Sequence, residues 1–454
     1  MIEFERLKEL NHASETDGDY VLYWMQQSQR VSFNPALEAA IASANRLKLP
    51  TVCCFGLTDG YPEANARHYS FMLEGLRDAE AALTKRGIPF VVRRGSPDEV
   101  PVDFAKRAAM VVCDRGYLRI QKQWRVNVAK SVKCRVLQVE GDVVVPVGHA
   151  SQKHEIAART LRPKILRIRD EFLQPLRQTA VKHKASGEKL RLPKPLDLSD
   201  VGALVAKLDI DHSVRPVARF RGGYSEAKRH LAAFVRGPLQ HYTSTRNEPA
   251  AMQVSFLSAY LHFGQISPVE IALAARDAKA AHADRAAYLE ELIVRRELSM
   301  NFVEYTPDYD SYSCLPEWAR ATLAHHSKDK RPHRYTEREL AEANTHDPYW
   351  NAAMLEMRDT GFMHNYMRMY WGKKVLEWSP SPEEGYAALL RLNNMFFLDG
   401  RDANSYANVG WVFGLHDRPW PERPIFGKVR SMTASGLRRK TDIDDYVRQI
   451  SALS

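Results

Sequence analysis

Over the first 150 residues, short apolar runs alternate with longer stretches in which apolar residues recur every three or four positions. That spacing predicts helices, at Pro35–Leu47, Asn65–Arg86 and Asp98–Lys106. The apolar runs are rich in β-branched and aromatic residues and predict strands, at Tyr20–Trp24, Thr51–Leu57, Pro89–Arg94 and Met110–Cys113, with one or two more within Cys134–Val147. Strand–helix alternation at this pitch favours a doubly wound, Rossmann-like parallel sheet. We therefore expect an α/β N-terminal domain over residues 1–150.

The pattern changes after residue 150. Residues 151–200 contain 12 Lys and Arg against 6 Asp and Glu and end in the polar stretch SGEKLRLPKPLDLSD, which predicts a partly helical connector. We expect the interdomain linker to cover residues 151–221. From 222 to 454 the spacing is helical almost throughout, which predicts an all-α C-terminal domain. Helix starts are predicted at Ser225, Ser267–Pro268, Asp347–Pro348 and Ser381–Pro382.

Charge and cysteine content narrow the choice of partners and compartment. The net charge of +10 favours a polyanionic partner such as nucleic acid, although an ordinary basic surface would give the same value. The N-terminal stretch MIEFERLKEL lacks secretory character, and no apolar run reaches the roughly 18 residues that a membrane span needs. The five cysteines form no CxxC pair, so we expect free thiols and a cytoplasmic location, associated with the nucleoid when DNA is bound.

Nucleotide-binding signals are sparse. No GxGxxG follows the first strand and no Walker motif occurs, so those loops are not expected to hold a nucleotide. In the helical half, Ser255 and Ser258 precede a helix that carries His262. Hydroxyls and free N–H groups at a helix start suit a phosphate, and an ordinary N-cap is the alternative.

An aromatic stretch, MHNYMRMYWGKKVLEW, is the strongest candidate for chemistry. It places Trp371 and Trp378 seven residues apart, nearly on one face of a helix, and Trp350 lies 21 residues before Trp371. Packed aromatic side chains are the simpler interpretation. A relay that carries electrons from the surface to a buried oxidant is the alternative.

Several long motifs, in order along nearly the whole chain, resemble those of the photolyase/cryptochrome flavoproteins, and within them the class II cyclobutane pyrimidine dimer (CPD) photolyases. They are YWMQQSQRVSFNPAL, FMLEGL, YLHFGQIS, EELIVRRELS, DPYWNAA, MRMYWGKKVLEW, LDGRDAN and HDRPWPERPIFGKVR. The resemblance implies that FAD binds in the helical domain. It also implies light-driven repair, in which photoexcited reduced FAD donates an electron to a dimer flipped out of double-stranded DNA. We expect a monomer with no membrane partner.

The resemblance also assigns roles to individual residues. The FAD contacts that it implies are Tyr242, Ser255, Leu257, Ser258, Arg368, Asn393 and Asp399, with Asn393 near the flavin N5 and Arg368 and Asp399 forming a salt-bridged pair. Trp350, Trp371 and Trp378 match the tryptophans that re-reduce the flavin. Glu291 resembles the glutamate that hydrogen-bonds the dimer. Other implied DNA and lesion contacts are Arg246, Asn247, Met369, Trp411, Asp417, Arg418, Trp420 and Arg430.

The chain departs from the family pattern near the flavin, at Phe256, Ala259, Met300, Asn365, Ala403, Ser405 and Asn408. None of these replaces a charged or redox-active residue named above. No metal site is expected. Family members often hold an antenna chromophore, a deazaflavin or a folate, in the α/β domain, and no motif here identifies one.

Three alternatives to CPD repair remain at the level of sequence. A cryptochrome-like photosensor is expected to carry an extended C-terminal tail, whereas this chain stops soon after RKTDIDDYVRQI. Repair of (6-4) photoproducts would require a histidine pair at the lesion. His262, His364 and His416 are available, but their motifs resemble those of class II. A flavin-free nucleic-acid-binding module is the third alternative, and the absorbance of the purified protein would test it.

Overall fold

The computed structural model describes residues 2–453, and within them a six-stranded sheet forms the N-terminal layer. Its strand order is β1-β6-β5-β2-β3-β4. All neighbouring strands run parallel except β1, which pairs antiparallel with β6 and places Leu7 opposite Val139. This topology confirms the predicted doubly wound sheet. The strands are β1 Leu7–Glu9, β2 Tyr20–Trp24, β3 Thr51–Leu57, β4 Phe90–Arg94, β5 Ala108–Asp114 and β6 Arg135–Val139.

Four helices flank the sheet, and the sequence predicted three of them. They are α1 Pro35–Leu47, α2 Ala66–Arg86, α3 Glu99–Ala105 and α4 Arg119–Ser131. The start of α1 is fixed locally, because the Asn34 side chain accepts a hydrogen bond from the Leu37 amide and proline occupies the first helical position. Helix α4 was missed because it buries only Arg125 and Val128, too few residues to give a clear apolar stripe.

The connector is partly helical, as predicted. It contains α6 Ala158–Phe172 and α7 Val201–Val205, and α5 Val147–Ala150 ends just before it. Only one strand, β6, forms in the segment where one or two were expected. Residues Val143–Val145 are fully buried, and the Glu297 carboxylate accepts the Val144 amide at 2.6 Å. A helical-domain side chain thus satisfies backbone that would otherwise need a sheet neighbour.

The C-terminal part is helical, as predicted. Its helices are α8 Tyr224–Arg236, α9 Tyr242–Thr245, α10 Ser258–His262, α11 Pro268–Arg276, α12 His282–Leu289, α13 Arg296–Tyr305, α14 Glu317–His325, α15 Glu337–Ala341, α16 Pro348–Thr360, α17 Asn365–Trp378, α18 Pro382–Phe396, α19 Ala403–Val412, α20 Ala434–Lys440 and α21 Ile443–Ser451. A π-helical segment, Glu290–Arg295, joins α12 to α13. Short 3₁₀ turns occur at Phe4–Arg6, Pro238–His241, Pro249–Ala251 and Tyr312–Cys314.

Three of the four predicted helix starts are confirmed to the residue. Ser267, Asp347 and Ser381 each cap a helix through the side chain, and proline follows each of them. The cap accepts free backbone N–H groups while proline supplies the helical φ angle, so these signals are entirely local. The fourth helix, α8, begins at Tyr224, one residue before the predicted Ser225.

Buried arginines join the two halves. Arg67 lies on α2, and its guanidinium donates hydrogen bonds to the carbonyls of Phe396 at 2.5 Å and Met357 at 3.2 Å. Arg30 donates to the Gly264 carbonyl at 2.9 Å. All five cysteines carry free thiols, as predicted. Among residues 2–453, no helix is both long and apolar enough to cross a bilayer.

Candidate active site

The segment containing Glu291 is a π-helical turn inside a longer helical run. Such wider turns cost hydrogen-bond regularity and are frequent at functional sites. The Glu291 carboxylate accepts a hydrogen bond from the Arg246 guanidinium at 2.9 Å. The exposed Arg295 instead lies 3.3 Å from Glu290, and Arg162 also pairs with Glu290 at 2.7 Å. Glu291 therefore pairs with Arg246 and not with Arg295, four residues further along the helix.

Arg246 connects Glu291 to a buried aromatic cluster. Its guanidinium lies 5.6 Å from the Tyr242 ring, which packs edge-on against Tyr288 at 5.4 Å. Burial raises the pKa of Tyr242 to about 12, and the nearby Glu291 charge adds to this effect. Burial also raises the pKa of Tyr288, while a polar contact with Ser255 lowers it. A continuous series of contacts therefore runs from Arg246 through Tyr242 and Tyr288 to Ser255.

The proposed phosphate seat lies in the loop that leads into α10. Leu257 is buried, while Ser258, the first residue of α10, exposes its side chain. Because α10 spans only five residues, its dipole would stabilise a bound phosphate less than the dipole of a longer helix. The Ser258 side chain is exposed and available to a ligand, whereas Ser255 is in polar contact with Tyr288.

Phe256 ties this loop to the start of α17. It has a left-handed φ of 54°, which turns its ring onto Phe362 at a centroid distance of 5.1 Å. The Arg219 guanidinium lies 5.1 Å from the Phe256 ring and 5.6 Å from the Phe362 ring. A non-glycine residue with this φ is uncommon, and the aromatic packing stabilises it here.

Arg368 and Asp399 form the ion pair that the motifs predict, at 3.0 Å. The Arg368 Nε also donates to the Met363 carbonyl at 3.0 Å, and the guanidinium lies 3.8 Å from the Phe397 ring. The second carboxylate oxygen of Asp399 is buried and finds no hydrogen-bond partner in residues 2–453. A buried acceptor without a donor is costly, so this atom is suited to receive a donor from a bound group.

Asn393, six residues before Asp399, is also buried. Its side-chain amide donates to the Asn394 Oδ1 at 3.0 Å, and the same oxygen accepts the Arg401 amide at 2.9 Å. Arg401 has a left-handed φ of 64°. These bonds link the last turn of α18, which carries Asn393, to the loop before α19, which carries Asp399.

The three candidate tryptophans are all buried. Trp350 and Trp378 pack edge-on at 5.5 Å, and the Trp350 indole N–H donates to the Trp371 carbonyl at 3.0 Å. The Trp371 ring packs against Phe397 at 6.0 Å, the same ring that Arg368 covers. Beyond Trp378, the chain of aromatic rings continues to the half-buried Tyr335 at 5.1 Å.

The residues assigned to the downstream DNA segment also cluster. The Arg430 guanidinium lies 4.8 Å from the Trp420 ring and 5.7 Å from the Trp411 ring. Arg418 lies 5.2 Å from the Trp420 ring, and the Trp420 indole N–H donates to Asp417 at 3.3 Å. We name Trp411–Arg430 the lesion segment, after the role that the sequence motifs imply for it. Two residues predicted beside it have no such anchoring contact: Asn247 is exposed and Met369 is half-buried.

His416 relates the lesion segment to the π-helical turn. Burial is the main cause that lowers its pKa to about 3, and the nearby charges of His154 and Arg295 lower it further. Arg295 ends the π-helical turn, so that turn and the lesion segment approach each other.

Sequence reasoning missed Lys373. This lysine is fully buried, donates to the Val412 carbonyl and lies 4.7 Å from the Trp411 ring. Burial lowers its pKa to about 7. A charged residue in the middle of an apolar helix segment was a signal that could have found it, because such residues are rarely buried without a role.

A separate cavity opens between the sheet and the helical half. Its walls are mainly aromatic or apolar, and several buried polar atoms of Gln26 and Gln29 have no partner in the described part of the chain. No sequence motif indicated this cavity, because residues from distant segments line it. Among them are Trp24, Phe55, Tyr61, Trp124, His262 and Arg401.

The similar sequences include several deoxyribodipyrimidine photo-lyases. A family model described as DNA photolyase matches residues 21–182. A deoxyribodipyrimidine photo-lyase of Methanothermobacter thermautotrophicus is 50% identical over 456 residues, covering 100% of this chain and 99% of that protein. One from Potorous tridactylus is 37% identical and covers 95% of this chain and 81% of that protein.

Solved structures share the fold at lower identity. A bacterial class III photolyase from Agrobacterium tumefaciens superposes with a TM-score of 0.73 at 21% identity, covering 97% of this chain and 88% of that one. A cryptochrome from Synechocystis superposes with a TM-score of 0.68 at 16% identity, covering 96% and 87%. At these identities the likeness concerns architecture alone.

Proposed function

Because this chain belongs to the photolyase/cryptochrome family, we propose that it is a class II enzyme that repairs cyclobutane pyrimidine dimers in double-stranded DNA by light. The single observation that carries the proposal is the placement of Trp371 and Arg368. They lie three residues apart on α17: the main-chain carbonyl of Trp371 accepts a hydrogen bond from the Trp350 indole, and Arg368 pairs with Asp399. An electron relay and a polar cofactor clamp therefore share one helix.

FAD is the cofactor of this family, and the residues present fit it. The unpartnered Asp399 oxygen matches a ring N–H donor, and the hydroxyls of Ser255 and Ser258 match phosphate oxygens. When bound and reduced, FAD absorbs near-UV or blue light and supplies the electron that opens the dimer ring. The residues that we propose to hold it are Tyr242, Ser255, Leu257, Ser258, Arg368, Asn393 and Asp399.

The protein's own contribution is positioning, charge and the exclusion of water. Arg368 and Asp399 orient each other through their ion pair, and the Phe397 ring shields the guanidinium from solvent. Such preorganised charges cost no rearrangement during the reaction. The buried indoles of Trp350 and Trp378 are in edge-on contact and can act as intermediate sites for electron transfer from the surface.

We propose that the flipped-out lesion contacts both Glu291 and the lesion segment. Glu291 and Arg246 are half-buried and hold each other in place without DNA. A flipped dimer would present base carbonyls and N–H groups that exchange for this ion pair. The rings of Trp411 and Trp420 offer faces for stacking, and Arg418 and Arg430 supply charge for phosphates.

We also propose that the cavity between the two halves receives the antenna chromophore. Its aromatic walls suit a planar ring system, and the unpartnered amide atoms of Gln26 and Gln29 can both donate and accept. Extraction of the bound chromophores and comparison of their spectra with authentic deazaflavin and folate would identify it. A purified protein with flavin as its sole chromophore would contradict this assignment.

The experiment that tests the main proposal uses two defined oligonucleotides, one with a single thymine dimer and one with a single (6-4) photoproduct. We expect light-dependent restoration of thymines in the first and no change in the second or in darkness. Repair of the (6-4) lesion instead would favour that activity. Absence of repair together with bound flavin would favour a photosensor, and absence of flavin a DNA-binding module.

A further inference from the structure

His325, His326 and Glu422 form a cluster outside the proposed active site. His325 is the last residue of α14, His326 follows it as the C-cap, and Glu422 lies 96 residues beyond His326 in the lesion segment. One side-chain nitrogen or oxygen from each residue lies within 4.8 Å of the other two. Tetrahedral zinc has bonds of about 2.0–2.2 Å to nitrogen and oxygen, which separates its ligand atoms by roughly 3.3–3.5 Å. Small rotations of the exposed His325 and Glu422 side chains would reach this geometry.

The His326 ring lies between two carboxylates. One ring nitrogen lies 2.6 Å from the Asp329 carboxylate, and the other lies 2.9 Å from Glu422. When the first nitrogen donates its proton to Asp329, the second presents a lone pair to a carboxylate oxygen. Two acceptors at that distance repel each other unless a proton or a metal ion lies between them.

Asp329 completes an arrangement typical of metal centres. Metal-bound histidines usually donate their other N–H to a carboxylate or carbonyl, which fixes the ring and the tautomer. Asp329 occupies that position and does not itself need to bind the ion. The same carboxylate accepts the Ile425 amide at 2.8 Å, so the residue that orients His326 also anchors the lesion segment.

We propose that His325, His326 and Glu422 bind one divalent transition-metal ion of the zinc type, with Asp329 as the positioning residue for His326. Two imidazoles and one carboxylate are ligands that zinc accepts, and water would complete the coordination. The ion would fasten the lesion segment to the end of α14. It would reinforce two existing contacts there, the Ile425 bond to Asp329 and the Lys428 amide bond to Thr322 at 3.0 Å.

Calorimetric titration of the full-length, FAD-loaded protein with Zn²⁺ tests this site. We expect one equivalent to bind, and His325→Ala and Glu422→Gln each to weaken binding at least about tenfold. Asp329→Asn should weaken it about 10- to 100-fold, as orienting residues do at other metal sites. His333→Ala is the matched control, because His333 is also an exposed histidine but stacks on His346 in another loop. Flavin absorbance and thermal midpoint verify that each variant is folded.

A second readout concerns the lesion segment itself. Zn²⁺ should slow hydrogen exchange at the Ile425 and Lys428 amides in the wild type and in His333→Ala, but not in Glu422→Gln. The proposal is overturned if the wild type takes up no stoichiometric Zn²⁺. It is equally overturned if His325→Ala and Glu422→Gln bind Zn²⁺ as tightly as the wild type. Neither readout depends on repair activity, so failure of the proposed function would leave this test intact.

Discussion

The indole N–H of Trp350 donates a hydrogen bond to the main-chain carbonyl of Trp371, 3.0 Å away. This bond holds the Trp350 side chain against α17, where its ring also meets Trp378 edge-on at 5.5 Å. The three indoles are therefore fixed by packing and by a specific hydrogen bond. Buried indoles held in place in this way are what an electron relay requires.

Trp371→Phe should block photoreduction of the oxidised flavin in vitro. Phenylalanine keeps much of the packing volume but is far harder to oxidise, so binding of dimer DNA should hardly change. The measurement is flavin absorbance during illumination with an external reductant. Trp318→Phe, on α14 and outside the relay, is the control and should photoreduce normally. Unchanged photoreduction kinetics in Trp371→Phe would mean that the indoles serve only as core packing.

Asp399→Asn should weaken retention of FAD about 10- to 100-fold. The substitution keeps the shape but removes the charge that pairs with Arg368, and a hydrogen bond to a charged group contributes about 1.5–3 kcal/mol. The ratio of flavin to protein after dialysis measures this effect. Glu337→Gln removes the charge of an exposed pair with Arg391 and should retain flavin as the wild type does. Equal retention in both variants would contradict the assigned clamp.

Lys373 should make stability depend on pH. Its pKa is lowered to about 7 in the folded protein and is about 10.4 when unfolded. Between these values the unfolded state binds more protons, so the free energy of unfolding rises with pH, by about 1.4 kcal/mol per unit. Relative to Lys373→Met, the wild type should therefore gain stability from pH 7 to pH 10.

Urea denaturation of both proteins at several pH values measures that difference. Lys374→Met, the adjacent lysine on the same helix, separates this effect from the loss of any lysine. A constant difference between the wild type and Lys373→Met across the window would show that Lys373 keeps its proton when buried.

DNA affinity should fall steeply with salt, because several phosphates are neutralised. Arg418→Ala should lower the slope of log affinity against log salt by about one unit. Arg430→Ala should lower it by the same amount and weaken binding further, because Arg430 also packs on Trp411 and Trp420. The exposed Arg46, paired with Glu15 in the sheet domain, supplies the control Arg46→Ala. Salt-independent affinity would contradict the DNA-binding assignment.

The sequence predicted those parts of the fold that local signals determine. Helices α11, α16 and α18 begin at a capping residue followed by proline, and both features act within one turn. Strand β1 escaped prediction because it has only three residues and forms only by pairing with β6. Its pattern is too short to stand out without its partner.

In the candidate site, too, some contacts could be predicted from the sequence and others depend on tertiary packing. The residues assigned to the Arg368–Asp399 pair and to the relay came from motifs, and the structure brings them together. The partner of Glu291 did not follow from spacing, because the π-helical turn rotates Glu291 toward Arg246, 45 residues earlier, and leaves Arg295 to Glu290. The contact of Lys373 with Trp411 and Val412 likewise depends on tertiary packing, since the hydrogen bond to Val412 spans 39 residues.

The most direct test of the account is the repair yield per flash on an oligonucleotide with one thymine dimer. The wild type should restore thymines only in light, Glu291→Gln should keep part of that yield because it keeps the shape and can still hydrogen-bond to the bases, and Glu291→Ala should lose more while retaining FAD. Glu290→Ala is the matched control, because Glu290 shares the π-helical turn but pairs with Arg162 and Arg295. It should repair as the wild type does. Equal yields for Glu291→Ala and wild type would contradict the role of Glu291, and no light-dependent loss of the dimer with wild type would contradict the proposed function itself.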